Sequence, residues 1–249
     1  MAYINSYKPP APPKPTLQDD LYDINFALPL PATLETPLVK LIPFIPSQHA
    51  QRFFDGTKGH DLFRYMPWLL TNLEDFLSVV EWIRVDPTNV LLLIIDKTKV
   101  DPNNHDLGGG TIAGIIGLLH TSQQHLVAEI GPVVILPPVQ RTHVSANAIG
   151  LMMRFCFDLP SAGGLGLRRL QWTANPVNKA SIKVAEKMGF VYEGTMRWTL
   201  VLQEGKEGKG SREGDPVGGP GRDSVLLAIC WDDWEGEVRE RVVKLMEKV

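Results

Sequence analysis

Cysteine is scarce in this sequence, with two among 249 residues. Both lie in apolar runs, Phe155-Cys156-Phe157 and Ile229-Cys230-Trp231, and read as buried reduced thiols, which excludes a disulfide-stapled fold. No apolar run is long enough to cross a bilayer, so no membrane partner is expected. Charge of one sign is not in excess: 25 Lys and Arg face 28 Asp and Glu, a net charge of −3. That offers no basic field to a nucleic-acid backbone, and this partner class is set aside. His120 and His125 flank a turn without Cys, Asp or Glu at ligand spacing, so no metal site is expected. The start, Met1-Ala2-Tyr3-Ile4-Asn5, lacks the basic-then-apolar order of a secretory leader, and a cytoplasmic protein is expected. Internal repeats are absent.

Proline, by contrast, is concentrated near the start. Lys8-Pro9-Pro10-Ala11-Pro12-Pro13-Lys14-Pro15 favours extended polyproline II and cannot form a core. Residues 1–36 therefore read as an arm, either draped on the body or presented to an SH3-type partner. Residues 37–249 read as one domain, with 44% hydrophobic and 21% charged residues in the chain, the composition of a globular protein.

Within that domain Val39–Phe44 reads as a strand, Ser47–Phe54 as a short helix ended by Gly56, and Arg64-Tyr65-Met66-Pro67-Trp68 as an aromatic-rich loop. Thr71 with Glu74 predicts a capping box before the apolar stripe Leu73, Phe76, Leu77, Val80 and Ile83. Three strands follow at Val90–Ile95, Thr111–His120 and Leu126–Leu136, the last two joined through Ser122-Gln123-Gln124 as a hairpin. Leu170–Ala174 predicts another strand. Asn175 is expected to cap a helix with Pro176 at its first position and Gly189 at its left-handed end. A strand from Phe190 to Leu202, a flexible Gly, Lys and Glu-rich insertion at 204–222, and an apolar strand Ser224–Trp231 come next. Asp232 with Glu235 is expected to cap a last helix along Val238, Val242, Leu245, Met246 and Val249. The order predicts a mixed sheet with helices on its faces.

The centre of this pattern is Val133–Ser145. A β-branched run stops at Pro137-Pro138, and a helical stripe of Val144, Ala148, Leu151, Met152 and Phe155 begins almost at once. A strand turning so quickly into a helix N-terminus presents backbone N–H groups to an anion. An ordinary βα crossover would show the same spacing.

Two blocks carry a resemblance. Ile135–Ser145, and Asn175-Pro176-Val177-Asn178-Lys179-Ala180-Ser181 running on through Glu186-Lys187-Met188-Gly189-Phe190 to Arg197, resemble the GNAT N-acetyltransferase superfamily and its RimJ/RimL-like branch. Arg64–Trp68 and Arg222-Asp223-Ser224-Val225 echo it. The resemblance covers about Leu38 to Trp234. It implies an α/β (α+β) fold of the GNAT acyl-CoA N-acyltransferase type, with a mostly antiparallel sheet and splayed strands. It also implies acetyl-CoA as acyl donor and an amine acceptor: a protein N-terminus, an amino acid or a small-molecule amine.

In such folds the pantetheine arm pairs with backbone near Val134, Ile135 and Leu136. The pyrophosphate lies over Gln140, Arg141, Thr142, His143, Val144 and Ser145, with Asn175 and Asn178 as further cofactor contacts. The family pattern Q-x-x-G-x-G/A is matched in part. His143 stands where glycine is usual and Ser145 where glycine or alanine is usual, and glycine there tolerates positive φ. The hydroxyls of Thr142 and Ser145 can replace lost contacts, and Arg141 can add a charge or stay solvated.

Many superfamily members use a tyrosine where this chain has Ala185. Ser181, one turn earlier, matches the serine proposed to assist the thiolate in the RimL-like branch; a serine bonded to its own helix is the plain alternative. Glu129 is the candidate general base, or a surface glutamate on an alternating strand. Tyr192 reads as a packing residue. Two readings stay open: an acetyl-CoA-dependent N-acetyltransferase working through a ternary complex, or a weak or inactive CoA-binding scaffold. The latter is motivated by His143 and Ala185. A homodimer through sheet edges is compatible with either.

Overall fold

The computed structural model describes residues 4–8, 21–101 and 104–248. The proline-rich reading falls on residues outside this range, as do Val249 and residues 102 and 103 of the 101–110 turn. Strand β1 (Leu34–Glu35) pairs with β2 (Val39–Pro43). Ahead of it Ile24, Phe26 and Leu30 pack against the core, within the stretch read as an arm.

Helix α1 (Pro46–Asp55) starts on a proline, whose missing N–H is an orphan there anyway, and buries Ala50 and Phe53. Helix α2 (Leu73–Val85) buries Phe76, Leu77, Val80 and Ile83, as the stripe predicts. Its capping box uses Asn72 and Asp75 rather than Thr71 and Glu74: the Asn72 Oδ1 accepts from the Asp75 N–H at 2.9 Å. The periodicity locates the helix, but several cap-competent residues in a row leave its first residue to be set by packing.

Strand β3 (Val90–Asp96) is buried along its whole length, and β4 (Thr111–Ser122) and β5 (Val127–Ile135) follow as the expected hairpin. Helix α3 (His143–Phe157) buries the entire predicted stripe. Next come β6 (Arg169–Ala174), α4 (Lys179–Lys187), β7 (Val191–Val201) and β8 (Gly221–Cys230). The sheet order is β1-β2-β3-β4-β5-β6-β8-β7, antiparallel except for β5 against β6. This is the mixed, mostly antiparallel α/β sheet that was expected.

Local signals at five places yield to the fold. Asn175 does not cap a helix: its Oδ1 accepts from Val177 N–H, and α4 begins two turn residues later under Asn178, which accepts from Ser181 N–H. The chain ends in a single turn α5 (Trp231–Asp233), a wide turn at Trp234–Val238, and α6 (Arg239–Met246). Gly236 leaves helical dihedrals there, and Asp233 rather than Asp232 serves the cap, accepting from Cys230 N–H. Cys230 is half-buried and Tyr192 is exposed, whereas Cys156 is fully buried. Arg222, read as part of the insertion, lies on β8 and is buried.

Gly150 lets α6 approach α3: a Cβ there would strike Met246 Sδ. Asn147 ties the same contact, donating to the His143 and Met246 carbonyls and accepting from Thr36 Oγ1 at 2.8 Å.

Candidate active site

The pairing of β5 with β6 covers only Val127 to Glu129 against Arg169 to Gln171. Beyond Glu129 the two strands part, while β5 continues on β4 to Ile135 and β6 continues on β8 to Ala174. Pro132, which has no N–H to donate, sits just past the parting point. The result is a notch whose β5 wall carries backbone groups of Ile130 to Ile135 unclaimed by β6.

Consecutive strand residues point to opposite faces, so Trp172 and Thr173 mark the two sides of this notch. Trp172 Nε1 donates to Ser181 Oγ at 3.0 Å, which places Ser181 on the α4 side. Thr173 Oγ1 bonds Glu129 Oε1, which places Glu129 on the other side. The two candidate catalytic residues therefore flank the notch from opposite faces. Ser181 is not turned into its own helix. Since its oxygen accepts from the indole, its own proton remains available to a third group.

The end of β5 runs through a 3₁₀ turn, Pro137–Val139, into the N-terminus of α3. Thr142 is the N-cap; its hydroxyl donates to the Val139 carbonyl at 2.7 Å and accepts from Val144 N–H. Gln140 donates from Nε2 to the Ile135 carbonyl at 3.0 Å, bracing the turn. Val134, Leu136 and Val144 are buried and hold strand and helix together. His143 and Ser145 lie in the first turn of α3, where a helix leaves its amides without intrahelical acceptors and the helix dipole adds positive potential.

A positive φ in this loop falls at Arg141, at 62°, and not at His143. His143 has become the first helical residue, and its side chain turns inward, its Nε2 3.2 Å from Asp96 Oδ1. Asp96 is fully buried and takes Thr98 N–H at 2.9 Å on the same oxygen; its Oδ2 has no partner among the described residues. The histidine in the glycine position thus packs its side chain inward against Asp96. Lys99, which the sequence reading passed over, donates to the Pro138 carbonyl at 3.1 Å and brings a cation to the same loop.

On the Glu129 side lies a cleft of about 370 Å3, lined by Arg64, Tyr65, Asn175–Val177, Glu207–Lys209 and Gly221–Asp223. Asn175 thus borders this cleft, while Asn178 is committed to capping α4. Arg222 donates to the Tyr65 carbonyl at 3.0 Å and to Ser224 Oγ at 3.2 Å. Burial pushes its guanidinium pKa down, and the charge of Glu129 opposes that shift. A larger groove of about 550 Å3 along Glu237, Arg241 and Lys244 is walled by exposed charged side chains from the chain's end and has none of this buried polar chemistry. Among the described residues, ligand-type atoms converge at Cys230, Asp232 and Asp233, where Asp233 is already occupied as the cap. No helix among them is long and apolar enough to cross a membrane.

Similar architectures are known. A GCN5-related N-acetyltransferase from Brucella melitensis superimposes with a TM-score of 0.68 at 22% identity, over 87% of this chain and 86% of its own. Mycobacterium smegmatis RimJ, solved with CoA-disulfide, gives 0.58 at 16% identity over 83% and 88%. Spermidine N-acetyltransferase from Vibrio cholerae, solved with CoA and spermine, gives 0.57 at 12% identity over 81% and 100%. Among curated proteins none matches the sequence significantly. The model of the acetyltransferase (GNAT) domain matches residues 39–191, which is more than half of the chain. With its sheet order, parted strands and helix-terminal loop all in place, this chain belongs to the GNAT acetyltransferase family and is an N-acetyltransferase.

Proposed function

We propose that the protein is a RimJ/RimL-like enzyme that moves an acetyl group from acetyl-CoA to a primary amine within a ternary complex. The observation that carries the reading is the notch itself, with Ser181 and Glu129 on its opposite faces and the α3 N-terminus at the end of its β5 wall. Acetyl-CoA supplies an activated thioester. The Leu136 N–H donates to the Ala113 carbonyl at 2.8 Å, so within Val134 to Leu136 the Ile135 N–H on the notch wall is the group that suits an amide of its pantetheine arm. The first-turn amides of α3, with Arg141 and Lys99 near them, suit its diphosphate.

Glu129 accepts the proton that the amine must lose, directly or through water, as the new C–N bond forms. Backbone N–H near Ile135 polarises the carbonyl oxygen. When the C–S bond breaks, Ser181 offers its free O–H to the departing thiolate, held in place by the Trp172 indole. The scaffold reading loses its main motive, because the His143 side chain is directed at Asp96 and away from the anion.

Thiol release with acetyl-CoA and a broad amine panel tests this. Ser181→Ala and Glu129→Gln are each expected to lower kcat by about 10² or more, the usual scale of a positioned acid or base. Acetyl-CoA affinity, measured calorimetrically, should stay within a few-fold. Absence of turnover with every amine, or equal loss of binding in both variants, would sink the proposal.

A further inference from the structure

Arg222 is only 8% exposed yet lines the cleft on the Glu129 side. Its three hydrogen bonds run to the Asp223 carbonyl, the Tyr65 carbonyl and Ser224 Oγ, all neutral acceptors. A guanidinium has five N–H groups, so two remain without an acceptor among the described residues. The acids around it are otherwise engaged. Glu207 pairs with Arg64 and Asp223 with Lys209, while Glu129 accepts from the Thr173 hydroxyl and acts on Arg222 through its charge without direct contact. A second cation stands nearby: Lys206 donates to the Phe63 carbonyl at 2.8 Å, and Arg222 adds to the effect of burial in lowering its pKa, against the pull of Asp61.

A buried cation with no anion in direct contact and without a full set of acceptors is costly, and a planar fork of donors matches a carboxylate in two parallel hydrogen bonds. Lysine would not offer that match. We infer that Arg222 is a specificity-determining residue of the acceptor site, binding a carboxylate of the acceptor while the acceptor's amine faces Glu129. The acceptors are then short amino-carboxylates. A polyamine would bring further positive charge against Arg222, Lys206 and Lys209. This rests on the acetyl-transfer reading above.

The test compares three acceptors matched in length, β-alanine, its amide and propylamine, together with the longer spermidine, with wild type, Arg222→Gln and Arg222→Lys. The wild type is expected to favour β-alanine over β-alaninamide in kcat/KM by about tenfold or more, the scale of a hydrogen bond to a charged group. Arg222→Gln should bring that ratio close to one, and Arg222→Lys should recover only part of it, with thermal unfolding checked for each variant. A residue that merely braces the Tyr65 loop would lower all four acceptors together, which overturns the inference. So does a wild type that prefers the amide or spermidine.

Calorimetric binding of N-acetyl-β-alanine in the presence of CoA separates the two readings. Binding that Arg222→Gln abolishes, without turnover of any amine, keeps the carboxylate site and rejects acetyl transfer. Turnover that is indifferent to the carboxylate, with no binding of this probe, does the reverse.

Discussion

His49 shows how one side chain can set the acid tolerance of the fold. It is buried, and its Nδ1 accepts from the Ile45 N–H at 2.9 Å at the start of α1, so the ring must be neutral. Burial, with Arg52 nearby, lowers its pKa to about 4 from 6.5. The unfolded chain binds this proton already below 6.5, the folded one only below about 4, so the contribution is intact above 6.5 and lost as pH falls towards 4. At most about 3 kcal/mol is at stake, from the energy per pKa unit. Urea unfolding between pH 7 and 4 should show that loss in the wild type and a smaller one in His49→Gln. Equal slopes would refute the assignment.

Among the elements, α3 does two separable jobs: its stripe fills the core and its N-terminus presents amides. His143 belongs to the first. His143→Ala is expected to cost about 1–3 kcal/mol, since Asp96 Oδ1 loses a neighbour in a buried place, while acetyl-CoA affinity changes by less than about threefold. Chemical denaturation and calorimetry read the two effects independently, and a large fall in affinity at unchanged stability would reverse the roles. His143→Asp is a poorer probe, because it would set two carboxylates against each other beside a residue that is itself fully buried. The contact of α3 with α6 is equally specific. Gly150→Leu should destabilise by about 1–3 kcal/mol through collision with Met246 and Val242, as overpacking does.

For the molecule as a whole, the proposed function makes the notch and the helix-terminal loop one ligand site spread over β5, α3 and α4, so binding should stabilise the entire domain. At a hundredfold excess of acetyl-CoA over its dissociation constant the gain is about 2.7 kcal/mol by mass action. For a domain of this size that corresponds to a rise in Tm of roughly 5–10 °C. Differential scanning fluorimetry with acetyl-CoA, and with adenosine as a ligand lacking diphosphate, reads it directly. An equal shift with adenosine would mean that the diphosphate loop contributes little.

Periodicity and turn chemistry in the sequence alone determined the element order: the stripe of α3, the hairpin of β4 and β5, and Gly189, whose φ of 103° ends α4 as expected. Those signals are local, because each residue's backbone preference and its spacing to neighbours one turn away carry them. The caps of α2, α4 and α5 were misplaced by a residue or more, since several oxygen-bearing side chains compete there and packing chooses among them. What only the tertiary structure decided was which side chains meet. His143 finds Asp96 across 47 residues, and Arg222 finds the Tyr65 carbonyl across 157. Trp172 turns to Ser181 because the faces of β6 alternate and α4 packs on one of them. Contacts at such separations depend on strand order and on the helix covering each face, and no pattern within a short window of sequence encodes them.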